Sequence, residues 1–334
     1  MNEINLKSLN NENLVNGIIN CKHFKKKINY RKLDVETCLG VVHILNAGNK
    51  EGRPVIIFHE ENSTCVYCLN QYKSLLNDYN VYVCDITRQL GYLSKHTDSY
   101  GEWASDIIEG LGYKKMICIG ESFGGQVIIK LMCFSPSKII KSVLISPYGI
   151  IKVQRFKLFF HSMIPRFIYK LTKKQKFLYK SINAFVLCDG SKEECNELSK
   201  KVFNYVKPSA AFSETINPYD AAMCLSPTLV FAGEKDLIFS SSKLLKAAKD
   251  SFFNSSIYLI RNCAHIAFLS DNVCREINKE IIKFLKEDDD VSVIKTKYNH
   301  NGEEGTIAII GPKRMEYERV VNLLNYIKEN IEDK

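Results

Sequence analysis

No stretch of this chain reaches 18 uncharged apolar residues, so no conventional membrane-spanning helix is expected. Residues Met1 to Asn13 lack a basic patch followed by an apolar run, which argues against an export signal and leads to a cytoplasmic reading. The 12 cysteines lack the spacing of a zinc site. Cys65 and Cys68 form a C-x-x-C, but no second pair, histidine cluster or thioredoxin-like context accompanies them. Since Cys84 and Cys118, among others, sit inside apolar runs, reduced core thiols are expected, with no metal and no cofactor.

Acidic residues are missing from Ile151 to Lys180, where nine basic residues fall. The chain holds 46 Lys and Arg against 37 Asp and Glu, so without these nine the two signs balance. One segment thus carries the whole net charge of +9. It also holds Phe156, Phe159, Phe160, Met163, Ile164, Phe167, Ile168 and Leu171 at spacings compatible with one helical face. Such a helix can lie on an anionic membrane surface or attract acidic partners. More often an apolar stripe of this kind packs on its own domain.

What is present fits a large soluble domain with a small addition: 334 residues, 46% hydrophobic and 25% charged. Apolar runs recur at Leu39 to Leu45, Pro54 to His59, Val81 to Ile86, Met116 to Ile119, Val143 to Ile145, Thr228 to Ala232 and Ile257 to Ile260. Several are continuous Val and Ile rather than alternating, as in strands covered on both faces. Helices are expected between them, at Cys65 to Asn77, Tyr100 to Leu111, Gln126 to Phe134, Ser242 to Ser251 and Cys274 to Leu285. The fold class is therefore α/β, a mostly parallel sheet with helices on both faces. The alternation breaks at about 149–222, which reads as a helical cap inserted after the sixth strand, over the strand ends where open α/β sheets place their sites.

Residues 120–125 read G-E-S-F-G-G between a short apolar run and a helix-like stretch, the context of a nucleophile elbow with Ser122 at its apex. So sharp a turn leaves no room for side chains two residues before or after the serine, and Gly120 and Gly124 supply none. After the run ending at Ala232 comes G-E-K-D, ending at Asp236; after the run ending at Ile260 comes R-N-C-A-H, ending at His265. Nucleophile, acid and base thus follow three different strands in order. A serine hydroxyl becomes nucleophilic when an imidazole accepts its proton, and the imidazole needs a carboxylate to fix its tautomer and stabilise its charge. Two N–H donors must also face the developing oxyanion. One is expected from Phe123, directly after the nucleophile; the other, from the loop His59 to Asn62, is assigned to Glu61.

These residues, with R-P-V-I-I-F-H (Arg53 to His59), V-Y-V-C-D (Val81 to Asp85), S-P-T-L-V-F-A-G-E-K-D (Ser226 to Asp236) and N-C-A-H-I-A-F (Asn262 to Phe268), resemble the α/β-hydrolase superfamily over about 35–288. More loosely, they are similar to its carboxylesterase-like members with a helical cap. In that family a glycine usually follows the histidine of the oxyanion loop, whereas Glu60 stands here, a carboxylate placed to repel anionic substrates. The resemblance implies cleavage of a carboxylic ester, thioester or related acyl compound through an acyl-enzyme. Ser122 stands where a haloalkane dehalogenase has Asp or a transferase Cys, which disfavours those branches.

Residues 291–334 read as a separate unit after a charged linker, Lys286 to Asp290: two strands, V-S-V-I-K-T-K-Y and G-T-I-A-I-I-G-P, and a helix from Met315. Gly305 to Val321 is similar to the C-terminal end of the heat-inducible transcription repressor HrcA, although Lys313 stands where that family usually has Thr. The resemblance implies the end of a GAF-like regulatory domain and does not bring the repressor's winged helix, so no nucleic-acid partner is expected. Domains are expected at 1–290 and 291–334. A serine hydrolase acting on a small acyl substrate is the leading expectation. A non-catalytic ligand-sensing or partner-binding protein is one alternative; a lysophospholipid or acylglycerol hydrolase, whose basic cap makes weak contact with an anionic membrane, is the other. The sequence does not fix the oligomeric state.

Overall fold

A computed structural model of the chain describes residues 28–60, 63, 65–86, 99–182, 185, 215–217, 220–221, 223–265, 271–287, 291–300, 303–312 and 317–332. The apolar runs form a sheet whose strands are β1 (Arg31–Thr37), β2 (Gly40–Gly48), β3 (Arg53–Phe58), β4 (Tyr79–Cys84), β5 (Met116–Glu121), β6 (Ile139–Ile145), β7 (Thr228–Gly233) and β8 (Ser255–Ile260). Their spatial order is β1-β2-β4-β3-β5-β6-β7-β8. β3 to β8 pair in parallel, and β2 runs antiparallel to β1 and β4. Every residue of β4, β5 and β7 is buried, as expected for strands covered on both faces.

Successive side chains of a strand point to opposite faces, and the core divides accordingly. Ile56, Phe58 and Cys118 join one cluster with Trp103 and Ile107 of α2 (Tyr100–Gly110), Val127 and Leu131 of α3 (Phe123–Phe134), and Leu244 of α7 (Ser241–Ser251). Their neighbours Val55, Ile57 and Ile119 join the other, with Cys68 and Leu69 of α1 (Cys65–Gln71) and Ile277 and Ile281 of α8 (Asp271–Lys286). Helices thus cover both faces, as the sequence implies.

Several boundaries differ from expectation: β2 runs on to Gly48, β6 begins at Ile139 and α8 at Asp271, and three further differences have a local cause. β1 has one buried residue, Val35, because it is an edge strand, and so shows no apolar run. The helix expected over Cys65 to Asn77 stops at Gln71, whose carbonyl accepts from Asn278 Nδ2 at 2.8 Å; a 3₁₀ turn follows at Lys73–Leu75. The expected linker begins too early, since Lys286 closes α8. The end of α8 is capped from the sheet: buried Lys141 donates to the carbonyls of Phe284 at 3.2 Å and Glu287 at 2.7 Å. A cation there satisfies the orphan carbonyls and the negative end of the helix dipole. Residues 288–290 lie outside the described residues.

After β6 the chain becomes helical, as expected of a cap. α4 (Arg155–Leu158), a π turn (Phe159–Met163) and α5 (Ile164–Thr172) form one run, followed by α6 (Gln175–Ile182). Leu158, Tyr169, Leu178 and Ile182 pack on the first core cluster, and Gln154 N–H donates to Ile238 O at 2.8 Å. Residues 183–184, 186–214, 218–219 and 222 of the expected cap lie outside the described residues. The C-terminal segment forms the expected hairpin, β9 (Val291–His300) with β10 (Glu303–Pro312), then α9 (Tyr317–Glu332). Val320 and Leu324 of α9 bury against Ile294, Ile307 and Ile309 and against Phe253, which lies between α7 and β8. Among the described residues no helix is long and apolar enough to cross a membrane.

Candidate active site

β5 ends at Glu121 and α3 begins at Phe123, leaving Ser122 alone in the turn at φ 50°, ψ −109°. Residues other than glycine seldom adopt a positive φ, and such strain persists only where the surroundings enforce it. Here they do. Ser122 N–H donates to Ile145 O of β6 at 2.9 Å, and Ser122 O accepts from Gly125 N at 3.1 Å and Tyr148 N at 3.0 Å. A Cβ on Gly124 would overlap the Phe58 carbonyl oxygen, and one on Gly120 would lie 2.6 Å from Gly124 O. The two glycines let the helix pack this tightly against the sheet.

β5, β7 and β8 run parallel, so the segments that follow them emerge at one sheet edge. There Ser122 Oγ lies 2.8 Å from His265 Nε2, and His265 Nδ1 lies 2.9 Å from Asp236 Oδ2. A carboxylate can only accept, so Nδ1 carries a proton and Nε2 turns its lone pair to the serine hydroxyl. Asp236 is itself fixed, its Oδ1 accepting the N–H groups of Ile238 at 2.7 Å and Phe239 at 3.1 Å. Tyr148 and Phe239 pack around the imidazole, their ring centroids 6.0 and 5.6 Å from it. Burial lowers the affinity of His265 for a proton, but the charge and hydrogen bond of Asp236, joined by the charge of Glu60, outweigh it and raise the imidazole above its ordinary pKa. Ser122, Asp236 and His265, named from three separate motifs, thus meet in one hydrogen-bonded line.

The family model for the alpha/beta hydrolase fold matches residues 62–272. The chain belongs to the α/β-hydrolase family. A Bacillus subtilis relative named as an uncharacterized carboxylesterase is 20% identical and aligns with 84% of this chain and 92% of its own length. Human epoxide hydrolase 4 is 24% identical, over 74% of this hydrolase and 76% of the human protein. The crystal structure of naproxen esterase from B. subtilis superposes with a TM-score of 0.62 at 15% identity, over 85% of this chain and all of that one, 100%. The model for the HrcA protein C terminal domain also matches, over residues 230–321. That span reaches well before the motif at Gly305 to Val321, taking in β7, α7, β8 and α8 of the hydrolase as well as the hairpin.

The oxyanion side of this α/β hydrolase has one expected donor in view. Phe123 is the first residue of α3, so its N–H has no carbonyl within the helix to receive it. The other expected donor, Glu61, and its neighbour Asn62 lie outside the described residues. Glu60 is described, and its backbone N–H bonds to the carboxylate of Glu121. Glu121 also accepts Tyr72 Oη–H at 2.6 Å. Burial pushes the Glu121 carboxyl up to about 7, against the lowering effect of those two hydrogen bonds. One buried carboxyl therefore joins the Ser122 turn, α1's end and the loop after β3.

Sequence reasoning passed over Glu121, Tyr72, Tyr148 and Phe239. A carboxyl at the last position of a buried strand was a legible signal for Glu121, whereas the aromatic neighbours depend on loop packing that no local pattern carries. Glu60 was noticed as a departure from the family; its charge at His265 was not. His59, fully buried, sits on this loop with Nδ1 2.7 Å from Glu60 O and Nε2 accepting Ile86 N–H at 3.4 Å. His59, Cys65 and Asp85 bring one ligand atom each within 4.8 Å of one another, a set that could hold a soft divalent metal. The burial expected for the C-x-x-C thiols holds for both, and burial raises the Cys68 thiol well above its ordinary pKa.

Proposed function

We propose that this α/β hydrolase is a serine hydrolase that cleaves a carboxylic ester, thioester or related acyl substrate. The observation that carries the proposal is the Ser122–His265–Asp236 line, with contacts of 2.8 and 2.9 Å. Ser122 Oγ attacks the acyl carbon while His265 Nε2 takes the hydroxyl proton, and Asp236 stabilises the resulting imidazolium. The negative oxygen of the tetrahedral intermediate is held by Phe123 N–H and a donor of the loop containing Glu61. Collapse breaks the bond to the leaving group, which departs with the proton from His265. Water then attacks the acyl-enzyme by the same route, His265 taking its proton and returning one to Ser122 Oγ.

The Glu60 carboxylate beside His265 favours neutral or cationic substrates over anionic ones, because like charges in a partly desolvated site repel strongly. The carboxylesterase name of the B. subtilis relative supports an ester substrate. Steady-state hydrolysis of a p-nitrophenyl ester by the full chain tests the proposal. Ser122→Ala should lose turnover while keeping the folded circular dichroism spectrum, and unchanged turnover would contradict the nucleophile assignment.

A further inference from the structure

Six of the seventeen exposed large apolar side chains among the described residues fall within one stretch, Phe156 to Leu171. Phe156, Phe160, Met163, Phe167 and Leu171 recur at about one helical turn along α4, the π turn and α5. They are 85%, 56%, 42%, 64% and 69% exposed, while Leu158, Ser162, Pro165 and Tyr169 face inward. The stripe that usually packs on its own domain therefore faces outward here. Soluble proteins seldom display so many large apolar groups together without using them.

The charge around this stripe says what covers it. Ile151 to Lys180 contains no acidic residue, and Lys157, Lys170, Lys173, Lys174 and Lys176 are all exposed. A protein or second copy seated on the aromatics would have to supply the compensating negative charge. The formal excess of this chain is positive, so a copy of itself is a poor match. A bilayer with anionic headgroups supplies both requirements at once: an apolar layer about 5–10 Å below its surface for the Phe side chains, and negative charge at the level of the lysines. The stripe follows β6, whose C-terminal end lies at the same sheet edge as Ser122.

We infer that the α4–α5 face is an interfacial docking surface for membranes containing anionic lipid. Phe156 and Phe167 insert between headgroups, and the lysines hold the face down electrostatically. Binding is independent of turnover, so its test does not depend on whether Ser122 acts on an ester. The full chain is co-sedimented with vesicles of phosphatidylcholine alone and of phosphatidylcholine mixed with phosphatidylglycerol. Binding should be strong to the mixed vesicles, weak to the neutral ones, and lost at high salt. Lys157→Glu with Lys170→Glu should weaken partitioning at least about 25-fold, from about fivefold per basic residue removed. Phe156→Ser with Phe167→Ser should abolish it while leaving the circular dichroism spectrum and the thermal unfolding midpoint unchanged, which shows that the variant is folded. Three results would each overturn the inference: equal binding to both vesicle types, wild-type binding by the Phe variant, or absence of vesicle binding together with concentration-dependent dimers that the Phe variant abolishes.

Discussion

Replacing Glu121 by Gln isolates the energetic consequence of burying a carboxyl beside the Ser122 turn. Burial moves this group from an ordinary 4.5 to about 7. The native state therefore keeps its proton over a range in which the unfolded chain has released it. The contribution to stability is full below the unfolded value and is lost as pH rises through the folded one. The shift of about 2.5 units corresponds to about 3 kcal/mol in total, of which about 2.5 kcal/mol is lost between pH 5 and pH 8. Urea unfolding of both proteins across that range measures it, and taking the difference between them cancels the other titrating groups. The wild type should lose about 2.5 kcal/mol relative to Glu121→Gln as pH rises. A difference independent of pH would refute the burial of this carboxyl.

Glu60→Gln removes one of the charges that raise His265. Activity, which needs the neutral imidazole, is lost as pH falls through the raised pKa, so the acid limb of kcat/KM for a neutral ester should move to lower pH; an unmoved limb would show that the charge does not reach His265. Asp236→Asn should lower kcat about 10⁴-fold, by fixing the wrong imidazole tautomer, with the fold retained; a loss under about tenfold would exclude Asp236 from the orienting role. Gly124→Ala drives a methyl into the Phe58 carbonyl where helix and sheet meet, and should cost more than about 4 kcal/mol of stability or prevent folding altogether. A Tm within a few degrees of wild type would contradict that packing.

The central strands were legible because burial on both faces leaves continuous apolar runs: β4, β5 and β7 are buried at every position. β1 was not, because an edge strand with Val35 as its one buried residue looks like any charged loop. Ser122, Asp236 and His265 could be named because each follows a strand whose end fixes its place, and parallel strands bring such ends to one edge. The buried carboxyl of Glu121 and the reach of Glu60 to His265 could not be read, since both arise where α1, β5 and the loop after β3 meet across long separations in sequence. The outward turn of the Phe156 to Leu171 stripe was also hidden. Spacing defines an apolar face but not what it meets, and here Leu158, Ser162 and Pro165 take the inner side. The two C-terminal strands and the helix followed from local patterning, while the contact of α9 with Phe253 lies between segments some 70 residues apart and left no trace in either.

Covalent labelling of the intact protein with a fluorophosphonate probe, followed by peptide mass spectrometry, tests most directly whether Ser122 is an activated nucleophile. One adduct is predicted, on the peptide containing Ser122, absent in Ser122→Ala and strongly slowed in His265→Ala. No adduct on the folded wild-type protein, or one carried by a different serine, would contradict the account.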